Sequence, residues 1–205
     1  MLLNLALHDP FRYNMFRYRG KQRAKQHMTP IQCFPPIADN HSRILILGTM
    51  PGSASLVATQ YYAHPRNAFW QIMGDLVNAT RELPYESRRD ILKSRGVALW
   101  DVLASCARRG SLDSAIKKES ITPNDLVSFF NRHPAITNVF FNGAMAEKFF
   151  RRRTLPLLGH PYLTYKQLPS TSPAHASLSY QQKCDAWKVI VPLLSECRPD
   201  ERFTV

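Results

Sequence analysis

Two segments of this 205-residue chain carry residue types suited to holding a flat, polar ligand. The first, Gly48 to Trp70, reads GTMPGSASLVATQYYAHPRNAFW and mixes Gly, Pro and Ser with aromatic rings. Such a stretch exposes backbone N–H groups and offers stacking faces, both useful for a nucleobase and its phosphates. Within it Tyr62 has a ring that could lie on a base, His64 an imidazole able to donate to a phosphate or a leaving group, and Asn67 an amide with donor and acceptor together. Each has a plainer alternative. Tyr61, Tyr62, Phe69 and Trp70 could plug the top of a core, which is the preferred reading for Phe69 and Trp70, and Asn67 could cap a helix opening at Ala68. The second segment, Leu168 to Ala176, reads LPSTSPAHA. There the hydroxyls of Ser170, Thr171 and Ser172, set between Pro169 and Pro173, make a stiff turn. Its short donors can grip a backbone phosphate while its tip presses into a duplex, and His175 follows it. The alternative is a capped loop opening the last helix.

Groups so far apart in sequence need a frame that brings them together. Arg43 to Gly48 (RILILG) is a short apolar run ending in Gly, as a buried strand requires. Val97 to Trp100, ending at Asp101, Thr137 to Phe141, ending at Asn142-Gly143, and Tyr162 to Leu168, stopped by Pro169, read as three more. Helices are expected from Ala68 to Ala79, Tyr85 to Ser94, Pro123 to Asn131, Ala144 to Arg153 and Ser179 to Leu194. Strands alternating with helices predict an α/β fold, a three-layer αβα sandwich around a mainly parallel four-stranded sheet. Ligands of such sheets bind at the carboxyl ends of the strands, which gathers both unusual segments at one rim.

A G-x-x-P-G loop after the first strand, paired with a P-S-x-S-type loop after the last, resembles the two signature motifs of the uracil-DNA glycosylase superfamily. The resemblance runs from about Phe34 to Leu194. The AHPRNAFW portion is similar to mismatch-specific uracil-DNA glycosylases, while GTMPG, QYY and LPSTSP are closest to the hypoxanthine-DNA glycosylase family. It implies an enzyme that kinks double-stranded DNA, flips out a deaminated base and hydrolyses its N-glycosidic bond to leave an abasic site. Gly48 and Met50 would then face the base, but Met50 stands where many relatives place an Asn or Asp to hold water, and a thioether cannot do that. The resemblance moves this burden to Asn67, as the amide that positions water or attends the leaving base, and it gives Tyr62 the face of the flipped base; His64, the other catalytic candidate, and His175 could instead merely orient their loops. Asn142 resembles the strand-end Asn that reads uracil in relatives. One amide can donate to O6 of hypoxanthine and accept from its N1–H, a pattern repeated at O4 and N3–H of uracil and reversed in adenine. A turn-forming Asn before Gly143 is the competing reading.

Asp101 and Asp113 are candidates for polarising water or for bracing loops, and Arg108, Arg109, Lys117 and Lys118 for tracking phosphates, with a solvated face as the alternative. Composition agrees with a polyanionic partner: 27 Lys and Arg against 15 Asp and Glu give a net charge of +12. A basic extension at 1–31, with Arg12, Arg17, Arg19, Lys21, Arg23 and Lys25 against Asp9, is expected to precede a glycosylase domain at 32–197 and a tail at 198–205. No apolar run reaches the roughly 20 residues of a membrane span and no secretory signal is apparent, so a monomeric intracellular protein is expected, in the cytoplasm or nucleoid of a bacterium or in a eukaryotic organelle or nucleus. The four cysteines (Cys33, Cys106, Cys184, Cys197) show no metal-ligand spacing, and no Lys is placed as an amine nucleophile. A monofunctional glycosylase with neither metal nor organic cofactor is therefore expected. The rival readings are a uracil- or thymine-mismatch glycosylase, a non-catalytic lesion-binding module suggested by Met50, and a small-molecule hydrolase, which lacks its G-x-S-x-G elbow.

Overall fold

The computed structural model describes residues 29–194. In chain order its elements are β1 (Ile31–Gln32), β2 (Ile44–Gly48), α1 (Ser53–Ala58), α2 (Phe69–Val77), α3 (Tyr85–Ser94), β3 (Val97–Asp101) and β4 (Leu103–Cys106). They continue with β5 (Thr122–Pro123), α4 (Leu126–Arg132), β6 (Asn138–Asn142), α5 (Ala144–Arg153), β7 (Thr164–Leu168) and α6 (Tyr180–Trp187), and short 3₁₀ turns fill some of the connections.

Four strands pair in the order β3-β2-β6-β7, all parallel. Every residue of β2 and β3 is buried, so this half of the sheet is covered on both faces, as its uninterrupted apolar runs demand. β7 sits at the edge, and its polar TYKQL sequence suits a strand with one open side. α3 packs on β3, and α5 on β6 and β7. The registers Gly48↔Asp101 and Asn142↔Leu168 bring the carboxyl ends of the four strands level along one rim.

Local chemistry explains the helix limits. α2 buries Phe69, Trp70, Ile72, Met73 and Val77 on one face and ends where Asn78 turns left-handed (φ 64°), with Asn78 N–H donating to the Gly74 carbonyl and Ala79 N–H to the Met73 carbonyl. α6 opens on a reciprocal pair, the Ser179 hydroxyl accepting from Gln182 N–H and the Gln182 side chain from Ser179 N–H. The final helix expected to run to Leu194 is α-helical only to Trp187 and continues as 3₁₀ turns over 188–193, because Pro192 has no N–H for the α ladder and its ring collides with the preceding turn. Two features were not anticipated. α1 lies inside the Gly48–Trp70 stretch, and β1, β4 and β5 form a small antiparallel sheet in which Ile31 pairs with Cys106. The basic extension lies outside the described residues up to residue 28, as does the tail at 198–205. Among the described residues no helix is long and apolar enough to cross a membrane, and Cys33, Cys106 and Cys184 are free thiols.

Candidate functional site

The carboxyl ends of β2, β3, β6 and β7 surround a cavity of about 300 Å³, at the small end of the range of roughly 300–1,000 Å³ usual for ligand sites. Gly48, Met50, Tyr62, His64, Asn67, Asn142, Ser170, Thr171, Ser172, Pro173 and His175 all line it, together with Asp101 and Asp113. Arg109 does not, and stands exposed on the loop after β4.

Tyr62 is held in a conformation its side chain disfavours, with φ at 54°. Such a residue costs on the order of 1–3 kcal/mol and persists only where its surroundings over-determine it. They do here: Tyr61 N–H donates to the Tyr85 hydroxyl (3.0 Å), the Trp70 indole to the Tyr61 carbonyl (2.8 Å), and Ala63 N–H to the Ser55 hydroxyl (3.2 Å). The Tyr62 ring backs onto Phe69 at 4.2 Å between centroids, while Phe69 and Trp70 themselves are core. The hydroxyl of Tyr62 turns down toward β2 and β3, where burial, then the Asp101 carboxyl, raise its pKa far above the usual phenol value. It has no hydrogen-bond partner of ordinary geometry, although the Asn142 amide is close enough to offset part of the desolvation. Gly48 makes this packing possible, because a Cβ there would stand 2.4 Å from Asp101 Oδ1 and 2.9 Å from the Tyr62 hydroxyl.

Asn67 is buried at the cavity wall, and its Oδ1 accepts from Phe69 N–H at 2.9 Å. The capping role is therefore real, although the residue flanking α2 is Ala68. Because only oxygen can accept from that N–H, the amide is oriented and its NH₂ end is left to serve the cavity. Arg81, which no motif pointed to, clamps the same loop, its guanidinium donating to the carbonyls of Pro65 and Asn67. His64 Nδ1 accepts from Arg66 N–H (3.1 Å), so in the neutral ring the proton sits on Nε2.

Thr171 ties three segments together. Its N–H donates to Asn142 Oδ1, Asn142 Nδ2 donates to its hydroxyl oxygen, and Ala68 N–H donates to its carbonyl, each at 2.9 Å. Thr171 is 1% exposed and its hydroxyl oxygen accepts from Asn142, which makes it a junction between the two loops, and the Asn142 amide is engaged first with Thr171, leaving one proton and one lone pair for anything else. Ser170 and Ser172 differ: their hydroxyl oxygens accept from Ser172 N–H and Ala174 N–H (3.2 Å each), which fixes the oxygens and leaves their protons to donate. The turn is anchored from α6 by Lys183, whose amine donates to the His175 carbonyl (2.6 Å), and by the Trp187 indole on the Pro169 carbonyl (3.0 Å).

Asp101 is a strongly perturbed carboxyl at the rim. Burial first, then repulsion from Asp113, push its pKa up to about 8 against a partial pull from Arg108, and its Oδ2 has no partner. Asp113 is also raised by burial, less so because Thr49 and Arg108 favour its charge. Arg108 departs from the phosphate-tracking cluster expected for it. Its side chain is 0% exposed, paired with Asp113 at 3.0 Å and donating to the Pro51 carbonyl, so it braces the cavity floor and does not face solvent as Arg109, Lys117 and Lys118 do.

Comparison with known proteins matches this architecture in sequence and in shape. The family model described as the uracil DNA glycosylase superfamily matches residues 35–194. A protein of Methanosarcina acetivorans named hypoxanthine DNA glycosylase is 35% identical over 159 residues, 77% of this chain and 95% of that protein. One of the same name from Methanosarcina barkeri is 37% identical over 113 residues, 55% of this chain and 70% of that protein. Among solved structures, the solution NMR structure of a candidate uracil DNA glycosylase from Methanosarcina acetivorans aligns with a TM-score of 0.66 at 32% identity, over 80% of this chain and 97% of that one.

Proposed function

The chain belongs to the uracil DNA glycosylase superfamily, and from that membership and the cavity at its sheet rim we propose that it excises hypoxanthine from duplex DNA and leaves an abasic site. It is a DNA N-glycosylase; the choice of hypoxanthine rests on the two similar proteins that carry that base in their names. The observation that carries the mechanism is the pinned amide of Asn67. As the bond between C1′ and the base breaks, the electron pair leaves with the base and the sugar becomes cationic. A fixed donor aimed at the departing ring favours that charge, and removing one such donor typically costs about 10²- to 10³-fold in turnover. Asn67 supplies the donor through Nδ2, Tyr62 the stacking face, worth roughly 1–3 kcal/mol, and Ser170 and Ser172 protons for a flanking phosphate. Water then adds to C1′ and loses its proton to solvent. Among the described residues no lysine lines the cavity, and the amine of Lys183 is spent on the His175 carbonyl, which supports hydrolysis without a Schiff base or strand cleavage.

The test is a panel of duplexes carrying hypoxanthine, uracil or xanthine, incubated with protein and then treated with alkali to cut abasic sites. Hypoxanthine release that falls about 10²- to 10³-fold in Asn67→Ala supports the mechanism. Release of uracil alone overturns the substrate, unchanged turnover in Asn67→Ala overturns the role of the amide, and a product trapped by borohydride overturns simple hydrolysis.

A further inference from the structure

α6 reaches both ends of the turn that carries Ser170 and Ser172. Lys183 and Trp187 stand four residues apart, on one face of the helix. The Lys183 amine donates to the His175 carbonyl at 2.6 Å and the Trp187 indole to the Pro169 carbonyl at 3.0 Å. The same helix is joined to α2, because the Tyr180 hydroxyl donates to Asp75 and the Trp187 ring meets Phe69 edge-on at 5.9 Å between centroids. One element therefore fixes the Ser170 turn relative to the loop of Asn67, whose Oδ1 is held by Phe69 N–H.

Trp187 is a core residue, and donating to a nearby carbonyl is what a buried indole needs. Lys183 has no such reason to lie where it does. It is 6% exposed, yet among the described residues no carboxylate forms an ion pair with it, and burial lowers the pKa of its amine. A cation shielded from water with a carbonyl in place of a counter-charge costs stability, and a methionine would fill a similar volume at no such cost. The local bonds of the turn, from Ser172 N–H to the Ser170 hydroxyl, from Ala174 N–H to the Ser172 hydroxyl and from His175 N–H to the Ser172 carbonyl, set its shape. They do not set its place. After His175 the chain is exposed at Ala176 and Ser177, so the amine is what moors this end of the turn to the helix.

We infer that Lys183 is a positioning residue for the duplex: by holding the His175 carbonyl it keeps the Ser170 turn ready for a phosphate, so that DNA binds without first ordering it, an inference that rests on the glycosylase reading above. The full chain and its Lys183→Met and Lys183→Arg variants would be compared in anisotropy titrations with a duplex carrying tetrahydrofuran, an uncleavable abasic analogue, over a range of salt, and in single-turnover release of hypoxanthine. Lys183→Met should weaken binding about 10-fold and leave the saturating release rate within about twofold, because the groups facing the base stay where they are. The slope of log affinity against log salt should keep its value, since Lys183 touches no phosphate, and the unfolding midpoint should hold or rise. Lys183→Arg, which keeps a charged donor, should stay within about threefold of wild type. Undiminished affinity in Lys183→Met, or a saturating release rate that falls as far as the affinity, overturns the inference. A slope flatter by about 1 overturns it in favour of direct phosphate contact, and an unfolding midpoint that drops in Lys183→Met and returns with affinity in Lys183→Arg makes the residue merely structural. A wild-type protein that binds the analogue through Lys183 yet releases no hypoxanthine refutes the substrate and leaves the positioning role standing. A wild-type protein that binds no duplex refutes both.

Discussion

Replacing Asp101 by Asn should stabilise the protein, and increasingly so as the pH rises from about 4 to about 8. In the unfolded chain this carboxyl ionises near 3.8, whereas in the fold burial keeps its proton on up to about 8. Between those values the native state holds a proton that the unfolded state has given up, so stability falls by about 1.4 kcal/mol for each pH unit. Across the whole window the loss is on the order of 5 kcal/mol; it is absent below 3.8, where both states are protonated, and constant above about 8, where both are ionised. Asn has the same shape and no proton to lose. The trend with pH is the criterion: a gain in unfolding midpoint of at least about 5 °C at pH 7.5 that shrinks below about 2 °C at pH 4.5. Circular dichroism melts in buffers of matched ionic strength measure it. A gain that does not change with pH, or a loss, would mean that Arg108 keeps Asp101 ionised and that the reasoning is wrong. Because Oδ2 lacks a partner and the residue lines the cavity, base release measured on the same samples should drop while stability rises.

Three further outcomes are expected. Arg81→Ala should lower kcat about tenfold with KM little changed, and Arg81→Lys should recover little of it, since a single ammonium matches the two carbonyls of Pro65 and Asn67 less well than the planar fork. Thr171→Val keeps the volume but deprives Asn142 Nδ2 of its acceptor; a loss of about 1–3 kcal/mol in denaturant unfolding is expected, and Thr171→Ser should avoid it. Replacing Lys117 and Lys118 together by Ala should weaken duplex binding regardless of the lesion and flatten the plot of log affinity against log salt by about 2, whereas an unchanged slope would leave the two on a solvated face.

The frame of the molecule was legible because burial writes itself into composition. ILILG and VALWD can only be strands covered on both faces, and α3 and α5 run over the very residues their patterns predicted. Strands of two residues have no periodicity to read, which is why β1 and β5 escaped notice, and α1 was hidden in a stretch whose Gly, Pro and Ser spoke for a loop. At the site, the gathering of Tyr62, Asn67, Asn142 and the Ser170 turn followed from strand ends alone. What could not be read was where each side chain spends its hydrogen bonds. Neighbouring Arg108 and Arg109 look alike in sequence, yet one is sealed beneath the cavity and the other exposed, and the commitment of Thr171 to Asn142 depends on two loops meeting across the sheet. Arg81 belongs to no motif and acts on backbone carbonyls, which leave no mark in the sequence.

The strand order carries a consequence for how the molecule comes into being. β2 emerges early but lies inside the sheet, and its second neighbour, β6, is made only after β3, β4, β5 and the intervening helices. Pairings so distant along the chain form slowly. During synthesis, Tyr62 and Asn67 leave the ribosome well before the Ser170 turn that walls the cavity. A growing chain cut short of Leu168 would hold Tyr62, Asn67 and Asn142 and no chamber around them, so the site is complete only with the finished sheet.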